Sequence, residues 1–186
     1  GEIELAKRIP PLAGRQVSAL IWTTTPWTIP SNLALAFQPE ATYGAYEVDG
    51  RVVIVAEALA ERLSRELGRA FDRLVASAPG TAFEQVAFRH PLYARDSLGV
   101  LGDYVTLDTG TGIVHTAPGH GADDFHTGVR YGLDIYEPVG ADGRFLDSVE
   151  GFAGLTVFEA NPKVEAALSE AGRLWKREAF AHAYPH

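Results

Sequence analysis

The feature that most constrains this chain is the closeness of its β-like runs. Thr42–Val48 and Arg51–Ala56 are rich in β-branched and aromatic residues and are separated only by Asp49-Gly50. That dipeptide favours a type I′ turn, so the two runs read as a hairpin. Further runs at Gln16–Thr23, Ala82–Phe88, Tyr104–Leu107 and Ile113–Thr116 leave too little chain between most neighbours for repeated βαβ crossovers. Helical patterning is confined to three stretches. Glu57–Leu67 places Leu59, Leu63 and Leu67 on one face, with Gly68 as its stop. Gly121–Tyr131 turns Phe125 and Val129 inward and ends at Gly132. Asn161-Pro162 is a favourable N-cap and first position for a helix to Ala171, closed by Gly172. The expected class is mixed α+β: an antiparallel-rich, barrel-like β core with a few peripheral helices, forming one domain over 1–186.

Composition narrows the function classes. Cysteine is absent, which removes disulfides, thiolate nucleophiles and cysteine-based zinc sites. Methionine is absent even at position 1, which suggests a piece of something larger. No apolar run approaches the ~20 residues of a membrane span and no secretory leader opens the chain, so a cytoplasmic protein without a membrane partner is expected. The formal charge is −8, and lysine occurs only at Lys7, Lys163 and Lys176. A broad nucleic-acid surface needs clustered cations, so any RNA must be gripped over a small footprint or by another part of the protein.

Two segments carry unusual chemistry. Trp22-Thr23-Thr24-Thr25-Pro26-Trp27-Thr28 packs four threonines into six positions beside two tryptophans, where a strand meets a proline-stiffened loop running to Asn32. Threonine hydroxyls donate and accept hydrogen bonds while their methyl groups line small apolar hollows, and tryptophans supply flat walls. β-propensity alone also enriches both residue types in strands. The second segment runs from Gly110 to His126: a strand ending at His115, a glycine- and proline-containing turn, then Asp123 and Asp124 in the first turn of a helix. One aspartate there is expected as an N-cap, which leaves the other needing a different reason. His115, His120 and His126 allow a metal-dependent hydrolase as an alternative, although their spacings do not match the helical zinc-protease pair. His90, before Pro91, reads as a structural turn residue.

Taken together, Thr23-Thr24-Thr25-Pro26-Trp27-Thr28-Ile29-Pro30-Ser31-Asn32 resembles the threonine-rich motif of the editing (CP1) insertion of isoleucyl-tRNA synthetases. Gly110 to Phe125 resembles that domain's second motif, and Ala183-Tyr184-Pro185-His186 resembles its point of return to the catalytic core. Valyl and leucyl relatives carry Thr-Arg-Pro-Glu or Thr-Arg-Pro-Asp in the first motif, whereas this chain has Thr25-Pro26-Trp27-Thr28. The resemblance implies hydrolysis of the aminoacyl ester of tRNA(Ile) mischarged with valine at its 3′ CCA end, with valyl-adenylate as a possible second substrate. It implies no cofactor and no metal, with the remainder of the synthetase as partner. It further implies that Asp124 binds the substrate's amino group, that Thr24, Thr25 and His115 act at the ester, and that Trp22, Thr23, Trp27, Thr28 and Asn32 contact substrate or support the loop. The nucleotide-binding HIGH and KMSKS signatures are missing, so amino-acid activation is not expected. A non-catalytic tRNA-positioning module is the other alternative.

Overall fold

The computed structural model describes residues 1–178, so the Ala183–His186 motif lies outside the described residues. Two four-stranded sheets form the centre. The first has the order β1 (Val17–Ala19), β4 (Arg51–Ala56), β3 (Thr42–Val48), β5 (Leu74–Pro79). The second has the order β6 (Ala87–Arg89), β7 (Asp96–Leu101), β2 (Ala34–Phe37), β8 (Ile113–Thr116). Among the described residues, β1–β4 and β2–β7 pair in parallel and the other four pairings of these sheets are antiparallel. The mixed, antiparallel-rich class is as expected, but the sheets remain open and do not close into a barrel.

The β3–β4 hairpin turns at Asp49 (φ 50°) and Gly50 (φ 77°), the paired positive values of a type I′ turn. Helix α1 (Glu2–Arg8) precedes the sheets, and α2 (Glu57–Leu67) follows β4 directly, buries Leu59 and Leu63, and ends on left-handed Gly68. The main core fills the space between the sheets. Phe37 lies at its centre, stacked on Phe83 with centroids 4.6 Å apart and meeting Tyr43 edge-on at 5.1 Å. Ala34, Ala36, Val100 and Val105 form a separate core on the far face of the second sheet, so that sheet is covered on both sides.

Several sequence expectations are corrected. The Gln16–Thr23 run is a strand only over Val17–Ala19, half-buried, and continues as irregular chain. Tyr104–Leu107 forms no strand, and the 82–88 run divides into a 3₁₀ turn (Gly80–Phe83) and β6. The third predicted helix starts earlier than expected, as α4 (Val157–Glu170). Thr156 is its N-cap in a reciprocal capping box with Glu159, leaving Asn161-Pro162 one turn inside. In α3 (Ala122–Tyr131), Phe125 and Val129 face outward, 43% and 61% exposed. The inward positions are Thr127 and Gly128, and a Cβ on Gly128 would lie 2.7 Å from Pro118. Asp124 stands three and four residues before them and therefore shares their face. Among the described residues, no helix is long and apolar enough to cross a membrane.

Candidate functional site

The two sequence motifs meet because β2 and β8 are antiparallel neighbours, with Leu35 opposite His115 and Ala34 opposite Thr116. The threonine loop leads into β2, and the glycine-containing turn leaves β8 toward α3. A cavity of about 300 Å³ lies between them, lined by Trp22, Thr23, Thr24, Thr25, Thr28, His115 and Asp124 among others.

The loop is stiff. Pro26–Ser31 is a 3₁₀ helix in which Pro26 and Pro30 fix φ, and its last four residues are buried. Thr23 Oγ1 accepts the Thr25 N–H at 3.0 Å and lies 3.3 Å from Thr25 Oγ1. Thr24 takes part in neither bond. Trp27 N–H donates to Asn161 Oδ1 at 3.0 Å, so the residue expected as a helix cap instead ties α4 to this loop.

His115 is held at both nitrogens. Asn32 Nδ2 donates to the Ala34 carbonyl at 2.9 Å, which fixes the orientation of the amide, and the same group lies 2.7 Å from His115 Nδ1. An amide NH₂ can only donate, so Nδ1 must accept. The proton of the neutral ring therefore sits on Nε2, 2.9 Å from Thr28 Oγ1, and Thr28 passes its own proton to the Thr25 carbonyl at 2.8 Å. Burial, with minor repulsion from His90 and His120, pushes His115 down to about 3, so the ring stays neutral. Nδ1 and Nε2 are thus both engaged within the fold. The ring lines both the 300 Å³ cavity and a larger one of about 1480 Å³, which also share Trp22, Thr23 and Thr24.

Asp124 takes the Ala117 N–H on Oδ2 at 2.9 Å. Burial raises its carboxyl above the usual range, the Ala117 bond lowers it, and the neighbouring Asp123 charge raises it. Such a carboxylate gains from an incoming cation, which would offset its lost solvation. Neither aspartate caps the helix through its side chain, and Asp123 is exposed. The capping expectation therefore fails for both aspartates; Asp123 faces solvent while Asp124 is tied to the Ala117 N–H.

Not every expected residue reaches the cavity. Trp27 packs on the Ile29, Phe145 and Phe152 cluster and meets His120 edge-on at 4.9 Å, because the 3₁₀ twist turns it away from the threonines. Asn32 acts on the site only through His115. The three histidines do not converge: His120 Nε2 lies 3.0 Å from Ser31 Oγ, and His126 is exposed. Among the described residues, no group of three or more histidines and carboxylates is placed to hold a metal. Sequence reasoning missed Tyr104, Thr106 and Thr109, which line the same cavity. The signal was present, since Thr106, Thr109 and Thr111 repeat the threonine density of the first motif.

No protein-family model matches the chain. It is 51% identical over 167 residues to the isoleucine–tRNA ligase of Nitratidesulfovibrio vulgaris (strain Miyazaki F), covering 90% of this chain and 18% of the relative. It is 46% identical over 183 residues to that of Syntrophotalea carbinolica, covering 98% of this chain and 20% of the relative. The chain thus spans about a fifth of the length of the ligases it matches. Among solved structures it resembles GlLeuRS-CP1, with a TM-score of 0.71 at 18% identity over 97% of this chain and 90% of that one. It also resembles the P. falciparum cytosolic leucyl-tRNA synthetase editing domain, with a TM-score of 0.65 at 10% identity over 84% and 78% of the two chains. By sequence the chain belongs to the isoleucine–tRNA ligase family, and by fold this stretch of it is built like a leucyl-tRNA synthetase CP1 editing domain.

Proposed function

We propose that this segment hydrolyses the ester between valine and the 3′-terminal adenosine of isoleucine tRNA, and excludes isoleucine by size. The supporting observation is the placement of Asp124 and the threonine loop on one 300 Å³ cavity with His115 as a fixed wall. The substrate's ammonium group pairs with Asp124, whose Oδ2 is already oriented by Ala117. Pinning the amine fixes the ester carbonyl beside the Thr24 and Thr25 hydroxyls. These, with nearby backbone N–H groups, orient a water and stabilise the developing oxyanion. Water adds to the carbonyl carbon, the ester C–O bond breaks, and the ribose hydroxyl leaves with a proton.

Thr28 is committed to His115 and the Thr25 carbonyl, so it shapes the cavity and does not grip substrate. A synthetic site cannot strongly exclude a side chain one methylene smaller, and this family is the usual example of a second sieve that rejects the larger group. Valyl-adenylate presents the same amine and carbonyl and fits the same reading. The rest of the ligase would deliver the tRNA end, which suits the acidic charge of this segment.

The test is release of valine from valyl-tRNA(Ile) by the chain at high concentration. Turnover is expected in the native chain, and Asp124→Ala should lower it at least 100-fold without changing the melting temperature. Near-normal turnover in that variant would refute the assignment.

A further inference from the structure

The threonine loop is gripped from behind by two side chains that the proposed chemistry does not use. His90 is 2% exposed. Its Nδ1 lies 3.0 Å from Leu92 N and 3.1 Å from Tyr93 N, two donors that make this nitrogen the acceptor. The ring proton is therefore on Nε2, which donates to the Ile29 carbonyl at 2.9 Å. Arg95 Nη2 donates to the carbonyls of Pro30 and of Asn32, the latter at 3.0 Å. The guanidinium is itself located by Tyr93 and Tyr136, whose ring centres lie 5.2 and 5.8 Å away. Three loop carbonyls, from Ile29, Pro30 and Asn32, thus converge on buried His90 and half-buried Arg95.

We propose that His90 and Arg95 are positioning residues for the ester hydrolysis. By holding those carbonyls they set where Thr28 and Asn32 present their side chains to His115, and hence where the wall of the cavity stands. This rests on the editing reading above. Both contacts that fix the His115 ring come from the loop, from residues within one position of a clamped carbonyl. A shift of the loop therefore moves the ring. Misplacement by ~1 Å in such a site costs on the order of 100-fold in rate.

Two substitutions separate positioning from local folding. His90→Gln keeps a donor at the reach of Nε2 and so keeps the Ile29 bond. His90→Asn keeps an acceptor near Nδ1 for Leu92 and Tyr93 but stops short of Ile29. Expected for His90→Asn is a 10- to 100-fold fall in kcat for valyl-tRNA(Ile) with KM within about threefold, and for His90→Gln a kcat within a few-fold of native. Nitrogen NMR of the ring gives a second readout: native His115 should show Nε2 protonated and Nδ1 bare, and His90→Asn should mix the two tautomers. A His90→Asn variant with native kcat and an unchanged His115 spectrum would overturn the proposal. So would one that unfolds while His90→Gln is native, since His90 would then be a folding residue. If the native chain releases no valine, the editing reading fails, while the ring spectrum still decides whether His90 controls His115.

Discussion

The two sheets are built on different plans. In the first, the two central strands β3 and β4 are adjacent in sequence and their register is set by a two-residue turn, so its central pairing is local. In the second, the central strand β2 has both partners far along the chain: β7, more than sixty residues later, and β8, nearly eighty. The first sheet supplies core and contributes little to the candidate site. The second supports the threonine loop at one end of β2 and His115 on β8. Bringing distant segments together is how the fold places two weak sequence signals on one cavity, and the cost is a sheet whose formation waits on long loop closure.

The sharpest way to test this division is to damage each side of the core by a similar amount. Phe37 of β2 is fully buried, and its ring stacks on Phe83. Phe37→Ala should destabilise by about 3–5 kcal/mol. Leu63 of α2, which follows the first sheet, is also buried, and Leu63→Ala should cost about 2–5 kcal/mol. Urea unfolding measures both. Turnover per folded molecule should fall in Phe37→Ala and remain native in Leu63→Ala. Equal losses in the two variants would show that the sheets do not divide stability from function.

Acid should act on the site side. Burial holds His90 at about 4 and His115 at about 3 in the fold, against 6.5 when unfolded. Their folded values are depressed, so the unfolded chain takes up protons first as pH falls. The stability they protect is complete above pH 6.5 and is lost on the way down to about 4 for His90 and about 3 for His115. For His90 alone this amounts to about 3 kcal/mol. Asp124, raised by burial, has the opposite sign and offsets part of the loss. Urea midpoints should decline between pH 7 and 5, and the decline should be shallower in His90→Gln. An equal slope in that variant would mean that another group controls the acid response.

His115→Ala should convert one property without removing the other. The ring lines both the 300 Å³ cavity and the larger one beside it, so its removal enlarges that space and leaves room for the larger side chain. Release of isoleucine from correctly charged tRNA should rise on the order of 10-fold or more, since a one-methylene sieve is worth about 1–3 kcal/mol. Valine release should fall by less than in Asp124→Ala. Unchanged resistance of isoleucyl-tRNA would leave His115 without a steric role.

What could be read from the sequence follows the same division. The hairpin, its turn type and α2 were legible because Asp49-Gly50 and the leucine spacing are local codes. β2 (Ala-Leu-Ala-Phe) and β7 were not, because short strands buried on both faces show no alternation. On α3 the apolar pattern misled: Phe125 and Val129 suggested an inward face, but Asp124 and Gly128 hold the inward positions through Ala117 and Pro118. On α4, Pro162 drew the helix start away from the Thr156–Glu159 capping box. Trp27 was assigned to the cavity on the motif resemblance and its flat ring, and only the 3₁₀ twist reveals that it points elsewhere.

The finest test concerns the two adjacent aspartates. Asp123 is exposed and is not hydrogen-bonded as a cap, yet its charge pushes Asp124 further up. Amine capture needs Asp124 ionised, so valine release should fall as pH drops through its raised value. Asp123→Asn removes a like charge without touching the cavity, so Asp124 ionises more readily and the acid limb moves to lower pH. At neutral pH turnover should stay within about twofold, and stability within about 0.5 kcal/mol, as for most exposed substitutions. A pH–rate profile in which Asp123→Asn shifts the limb upward, or lowers neutral turnover as far as Asp124→Ala does, would assign the amine to the wrong member of the pair.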